Sequence, residues 1–284
     1  MNSIAVSDGT APPSDGSGHH STLKKRVLSS LVLGPVALGA LFAGGAWFVA
    51  MVLVMVSAMA WEWRRLCTGG QFDLAGWLFT IGVLASVGAV PFFGLTGALG
   101  AGAVVAAVVG LAAKIGGDRN TAWSVAGVVA IAVTGIALVW LRAHPTDGLG
   151  IVLWLLVAVW FTDCCAYFTG RRIGGPKLAP AISPGKTWSG LAGGVIGAAG
   201  WSAGYASVSG SYDPLALAGA GAVIAVLAQA GDLGVSRVKR RFGAKDSSHL
   251  IPGHGGVLDR VDGFILSVPA VMIALAPWSE GAGR

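Results

Sequence analysis

The chain has 284 residues, of which 54% are hydrophobic and only 11% charged, and its mean hydropathy is +0.73. A soluble globular domain carries about 25% charged residues, so an aqueous fold fits poorly and lipid is the expected solvent. The net charge of +6 suits nucleic acid, anionic lipid or polyphosphate alike, and the placement of the positive residues decides among them.

Residues 1–22, rich in Ser, Gly, Pro and Asp, bury too little apolar surface to order themselves and are expected to form a disordered tail. No basic segment leading straight into an apolar core opens the chain, so a signal peptide is not expected. Apolar stretches long enough to cross about 30 Å of hydrocarbon follow. They run over 27–44, 46–63, 74–92, 95–113, 121–141, 149–169, 188–207, 214–235 and 261–278. The expectation is an all-α, polytopic integral membrane protein with about nine transmembrane helices and a cytoplasmic N-terminus. Residues 23–145 form an N-terminal transmembrane scaffold and 146–284 a C-terminal transmembrane catalytic region. The 45 glycines are read as contact points between closely packed helices. Cys67, Cys164 and Cys165 have no metal-ligand spacing, and their odd number argues against a disulfide framework.

With the tail in the cytoplasm, all of the 19 Lys and Arg except Arg142 and Arg284 fall on the cytoplasmic side. That is the bias of the positive-inside rule, and it accounts for the charge without nucleic acid. In the N-terminal half, Glu62 sits near a span end, where snorkelling or an i,i+3 pair with Arg65 is expected.

Polar residues concentrate in the C-terminal half. Asp163 follows the apolar run IVLWLLVAVWFT, and Asp232 interrupts another apolar helix. The connection FGAKDSSHLIPGHGGVLDRVDGF gathers Lys245, Asp246, His249, His254, Asp259, Arg260 and Asp262. Asp259 and Asp262, spaced i,i+3, present two carboxylates on one helix face; with Asp232 they make three acids near one leaflet. Each alone equally suits a pair with a neighbouring Arg, but three together favour a hard cation. Mg²⁺ takes a few carboxylates, waters and substrate phosphates. Lys186, Lys239, Arg240, Lys245 and Arg260 suit the phosphates of a nucleoside triphosphate and a lipid. Lys239 and Arg240 serve equally as part of a positive-inside anchor, the reading favoured for Arg241. His254 with Gly255 and Gly256 suits either a phosphate cradle or a tight interfacial turn. Ser183 and Thr187 suit either an N-cap or a phosphate contact.

The run from Ser236 through Lys239, Arg240, Lys245, Asp246, His254, Gly255, Gly256, Asp259 and Arg260 to Asp262 resembles the signature of the phosphatidate cytidylyltransferases. The likeness extends upstream through Gln229-Ala-Gly-Asp232, Ser183-Pro-Gly-Lys186-Thr187-Trp188 and Asp163-Cys-Cys-Ala-Tyr167, covering roughly residues 150–270. Gly185 and Ser189 depart from the family pattern, which has Lys and Glu there.

The resemblance implies transfer of a cytidylyl group from CTP to phosphatidic acid, with release of pyrophosphate. It also implies Mg²⁺ and allows a second, monovalent cation such as K⁺. On this reading Asp232, Asp259 and Asp262 hold the metal. Lys239, Arg240, Lys245 and Arg260 neutralise phosphates, and Asp246 orients them. Ser183, Lys186, Thr187, Ser236, Gly255 and Gly256 line the substrate site beside His254. The expected setting is the inner (plasma) membrane, with the site cytoplasmic, membrane lipids around it, no nucleic-acid partner, and a homodimer allowed.

Two rival readings are an ion or solute transporter and a CDP-alcohol phosphotransferase. A transporter predicts polar residues at the bilayer midplane, whereas these crowd one interface. The phosphotransferase expectation rests on Asp262-Gly263, which Phe264 follows where Ala-Arg belongs.

Overall fold

A computed structural model describes residues 17–279. Residues 1–16 of the expected tail and Arg284 lie outside the described residues. From Ser17 the chain is already helical, so the start of order falls before residue 22.

The described residues form a helical bundle: α1 Ser17–Ala43, α2 Gly45–Cys67, α3 Leu74–Gly88, α4 Val90–Ile115, α5 Thr121–Arg142, α6 Gly148–Ile173, α7 Trp188–Ser209, α8 Pro214–Arg241, the single turn α9 Leu258–Val261, and α10 Phe264–Ser279. Helix overlies each predicted apolar stretch, with 74–92 shared between α3 and the first turn of α4. Five helices, α2, α4, α5, α6 and α8, are long and apolar enough to cross a membrane; α1, α3 and α10 carry shorter apolar segments. Large apolar side chains stand exposed around the bundle, among them Trp47, Phe92, Ile115, Ile196 and Leu215. A hydrocarbon solvent accepts such a surface; water does not.

Two features depart from an unbroken all-α reading. Gly94 (φ 65°) breaks α4 after its first turn. The connection after α6 contains an antiparallel hairpin, β1 Lys177–Ala179 with β2 Ser183–Thr187, in which Lys177 pairs with Thr187. Gly174 and Gly175 in that connection take positive φ, which a period-counting argument does not anticipate.

Helix ends follow their local chemistry. Asp73, Asp147, Asp213 and Thr187 are N-caps of α3, α6, α8 and α7, each accepting a backbone N–H at 2.7–3.0 Å. Arg64 and Arg65, Arg171 and Arg172, and Lys239, Arg240 and Arg241 occupy last turns, where cations complement the helix dipole. Close packing explains Gly190, Gly193, Gly194 and Gly197 of α7. A Cβ on Gly190 would stand 2.9 Å from the Ala166 carbonyl, and one on Gly194 2.9 Å from that of Thr162, so α6 and α7 meet backbone to backbone.

One core runs through both halves of the chain, from Leu41 through Val128 and Ile136 to Val268 and Met272. At one end of the bundle Arg64 (1% exposed) joins four elements. It donates to Asp73 at 2.8 and 2.5 Å, to Asp118 at 2.6 Å and to Ser124 at 2.6 Å. At the other end Arg142 donates to the Leu41 carbonyl at 2.8 Å, closing the last turn of α1. Glu62 lies at the Arg64 end and is fully buried (0% exposed), contrary to the snorkelling expected of it. The Arg65 pair is absent too: Arg65 stacks on Trp61 and donates to the Gly70 carbonyl.

Candidate active site

Asp232 sits two turns before the end of α8. Its Oδ2 pairs with the Lys186 ammonium at 2.5 Å and its Oδ1 accepts from Ser236 at 3.2 Å, one helical turn on. Lys186 comes from β2, so the hairpin delivers this cation to α8. Opposite stands Asp262, in the turn ahead of α10. Gly231 makes this approach possible, because a Cβ there would fall 2.6 Å from the Asp262 carbonyl. Burial, and then the charge of Asp232, push the Asp262 carboxyl up to about 7, with Asp163 adding to the effect. Asp163, on α6, accepts from Gln229 at 3.4 Å. Thus α6, α8 and the turn before α10 bring Asp163, Asp232 and Asp262 close enough for their charges to act on one another, in one acidic cluster.

Asp259 keeps different company. Its Oδ1 accepts from Lys239 at 2.6 Å, while Oδ2 accepts from the Ser247 amide at 2.9 Å, the Ser247 hydroxyl at 2.8 Å and the Gly256 amide at 3.0 Å. Burial opposes its charge, but these donors outweigh that and hold its carboxyl below the usual carboxylate range. The i,i+3 spacing had paired Asp259 with Asp262 for one cation; the fold gives Asp259 to the 247–256 loop instead. Lys239 is correspondingly buried and committed to Asp259.

The other expected site residues divide likewise. Thr187 caps α7 and is buried; Ser183 opens β2. Gly256 N–H is taken by Asp259, and a Cβ on Gly256 would lie 2.0 Å from Ser247 Oγ and 2.6 Å from Glu62 Oε1. Gly255 (φ 83°) turns the backbone in a bridge between Ile251 and Gly255. Here the two glycines pack a loop. The His254 ring Nδ1 lies 2.9 Å from Ser29 Oγ on α1, and the His254 carbonyl accepts from Arg260 at 2.7 Å. Arg240 is exposed and reaches the Ile182 carbonyl at 3.3 Å; Lys245 and Asp246 are exposed on the same loop. Ser189, at a position of departure from the family pattern, donates to the Gly174 carbonyl and ties the end of α6 to α7.

Sequence reasoning left Asp163, Gln229, Ser247 and Glu62 out of the site. For Asp163 and Glu62 the signal was present, a carboxylate within an apolar helix. For Ser247 nothing in the sequence distinguished it from any loop serine.

Among the described residues no three His, Cys, Asp or Glu side chains stand close enough to enclose a metal by themselves. Mg²⁺ asks for less: one or two carboxylates, retained waters and phosphate oxygens. Asp232 has Lys186 as its partner, but Asp163 and Asp262 form no ion pair among the described residues, and a divalent cation fits those carboxylates.

The carboxylates Asp73 and Asp259 make acid stability testable. The Arg64 hydrogen bonds hold the Asp73 carboxyl below its usual range, as Lys239 and the Ser247 and Gly256 amides hold Asp259. Lowered acids stabilise the fold fully above the unfolded-state value of about 4, and that stabilisation is lost as pH falls through the lower native values. The unfolding temperature in detergent should therefore drop between about pH 5 and 3. Asp73→Asn should lower it at pH 7 and flatten the drop; a slope equal to that of the unaltered chain counts against this assignment.

Together, the apolar bundle and a cluster of acids beside Lys and Arg at one end define a membrane-embedded enzyme of phosphate chemistry. Comparison with known proteins specifies which. The chain belongs to the Cytidylyltransferase family, whose profile matches residues 24–278. It is 35% identical over 267 residues to the phosphatidate cytidylyltransferase of Brucella suis biovar 1, covering 92% of this chain and 96% of that protein. It is 36% identical over 276 residues to that of Pseudomonas aeruginosa, covering 92% and 99%. The Haemophilus influenzae protein of the same name is 34% identical over 289 residues, covering 87% and 96%.

Proposed function

We infer that this chain is a phosphatidate cytidylyltransferase: it transfers the cytidylyl group of CTP to phosphatidic acid, giving CDP-diacylglycerol and pyrophosphate. Near-full-length likeness to relatives of that name carries the inference, and the acidic cluster supplies its chemistry. A phosphate monoester has a second pKa of about 6, so the lipid phosphate attacks without a protein nucleophile. The protein's task is to hold two anions together and to offset charge on the leaving pyrophosphate.

Asp232 and Asp262, with Asp163 beside them, would hold Mg²⁺, which when bound offsets phosphate charge as a Lewis acid; a monovalent cation such as K⁺ would share the same cluster. Lys186 steadies Asp232, and the exposed Arg240, Lys245 and Arg260 receive phosphate oxygens at the rim, with Asp246 beside Lys245 to orient it. Lys239 and Asp259 act one step back, as a buried pair that fixes α8 to the loop. The acyl chains remain in the bilayer, since extracting each CH₂ costs about 0.8 kcal/mol.

We further assign nine spans and a cytoplasmic site in the inner membrane. The basic last turns of α2, α6 and α8 gather at the site's end, and Arg142 lies at the other. One experiment addresses activity and sidedness together, because CTP does not cross membranes. Inside-out vesicles holding the protein and phosphatidic acid should convert labelled CTP to CDP-diacylglycerol in Mg²⁺, whereas sealed right-side-out vesicles should do so only after permeabilisation. Equal conversion in sealed vesicles of both orientations refutes the sidedness; no conversion in detergent refutes the activity.

A further inference from the structure

Glu62 belongs to α2, far in sequence from the acidic cluster, yet it holds the loop that leads into Asp262. Its Oε1 accepts from the Ser248 hydroxyl at 2.6 Å and the Val257 amide at 2.8 Å. Its Oε2 accepts from the Leu258 amide at 2.7 Å and lies 3.3 Å from the Ser247 hydroxyl. These donors are 185 to 196 residues away in sequence. All are neutral, and among the described residues Glu62 has no Lys or Arg partner.

A fully buried carboxylate is costly to retain unless its oxygens are hydrogen-bonded, and an apolar side chain here would leave the Val257 and Leu258 amides without an acceptor. A buried charge satisfied only by one loop therefore fixes where that loop sits. Gly256 shows how closely it sits, since even a methyl group there would collide with Glu62 and Ser247. Ser247 links the two carboxylates, its hydroxyl standing 3.3 Å from Glu62 and 2.8 Å from Asp259. The chain Glu62–Ser247–Asp259–Lys239 thus spans α2, the loop, α9 and α8. Asp262 follows Leu258 by four residues, so any shift of the Leu258 amide is passed to it.

We propose that Glu62 is a positioning residue for cytidylyl transfer: by gripping Ser248, Val257 and Leu258 it sets the place of Asp262 against Asp232. The proposal rests on the cytidylyltransferase reading. It gives the N-terminal half, expected to be only a scaffold, a part in the reaction.

The test is steady-state kinetics of purified Glu62→Gln and Glu62→Asp, with CTP and Mg²⁺ varied and thermal unfolding followed in the same detergent. Gln keeps the shape but points an amide NH₂ at two of the donors. Misplacement by about 1 Å costs about 10²-fold in rate, so kcat should fall 10- to 100-fold in Glu62→Gln, with at least a several-fold rise in the Mg²⁺ needed for half activity and little change in the KM for CTP. Glu62→Asp, which keeps the charge, should recover part of kcat. Unaltered kcat and Mg²⁺ demand in folded Glu62→Gln overturn the proposal, as does a loss that merely tracks the folded fraction. Should Glu62→Gln fail to fold, Ser248→Ala carries the decision: a fall in kcat of about 3-fold or more at an unchanged unfolding temperature supports the role, and unchanged kcat overturns it. An inactive unaltered chain would instead refute the cytidylyltransferase reading, so the two failures are separable.

Discussion

Asp262→Asn and Asp232→Asn are each expected to lower kcat by about 10³-fold or more, the first while leaving the fold as stable as before. A cation that offsets phosphate charge contributes several kcal/mol to a transition state, and about 1.4 kcal/mol corresponds to tenfold in rate. In the absence of metal the carboxylates work against one another: burial, with the charge of Asp232, raises Asp262 to about 7. Asn at 262 removes that repulsion, so Asp262→Asn should melt no lower than the unaltered chain in metal-free buffer, the usual conflict of activity with stability at a functional site, whereas Asp232→Asn also takes the partner from Lys186 and should melt lower. The same raised value predicts how the Mg²⁺ requirement depends on pH. Below about 7 Asp262 holds a proton that a cation must displace, so more Mg²⁺ should be needed at pH 6 than at pH 8. The measurements are kcat at saturating Mg²⁺, half-activating Mg²⁺ at the two pH values, and unfolding without metal. Either variant retaining a tenth of the activity would remove its carboxylate from the reacting centre.

The second large effect is on stability. The side chains of Lys239 and Asp259 are 10% and 6% exposed and meet at 2.6 Å. Taking one member of a buried pair away leaves an uncompensated charge, at a cost of roughly 3–5 kcal/mol. Lys239→Met should therefore lower the unfolding temperature sharply. The double variant Lys239→Met, Asp259→Asn should regain most of the loss, since the Asn carbonyl still accepts the Ser247 and Gly256 amides that Asp259 serves. Activity need not return with stability, because the loop carrying Asp262 loses its tie to α8. If instead Lys239→Met melts as the unaltered chain does and only the KM for CTP rises, Lys239 reaches the triphosphate and not Asp259.

The contrast between Lys186 and Lys239 shows how far the sequence reaches. Both are cations near Asp232, and charge patterning treats them alike. In the fold Lys186 lies on a hairpin and pairs with Asp232, while Lys239 lies on the buried face of α8 and pairs with Asp259. Spacing also put Asp259 and Asp262 on one helical turn, which is so, but a turn's geometry does not say what each side chain meets across the interface. Glu62 is the sharper case. Its position near a span end made snorkelling the expectation, because nothing local reveals that a loop nearly two hundred positions on folds over it.

The sequence by itself determined the helices, their approximate limits, the lipid-facing surface and the end of the bundle at which chemistry gathers. These follow from composition, apolar run length and charge placement, which act within a helix or across a membrane and need no partner to be read. Only the tertiary structure decided which carboxylates share a cluster, which are used up in holding it together, and that the N-terminal half reaches into the site through Glu62. Those outcomes depend on long-range contacts among chemically equivalent side chains, and a linear pattern does not distinguish an Asp that meets another Asp from one that meets a Lys.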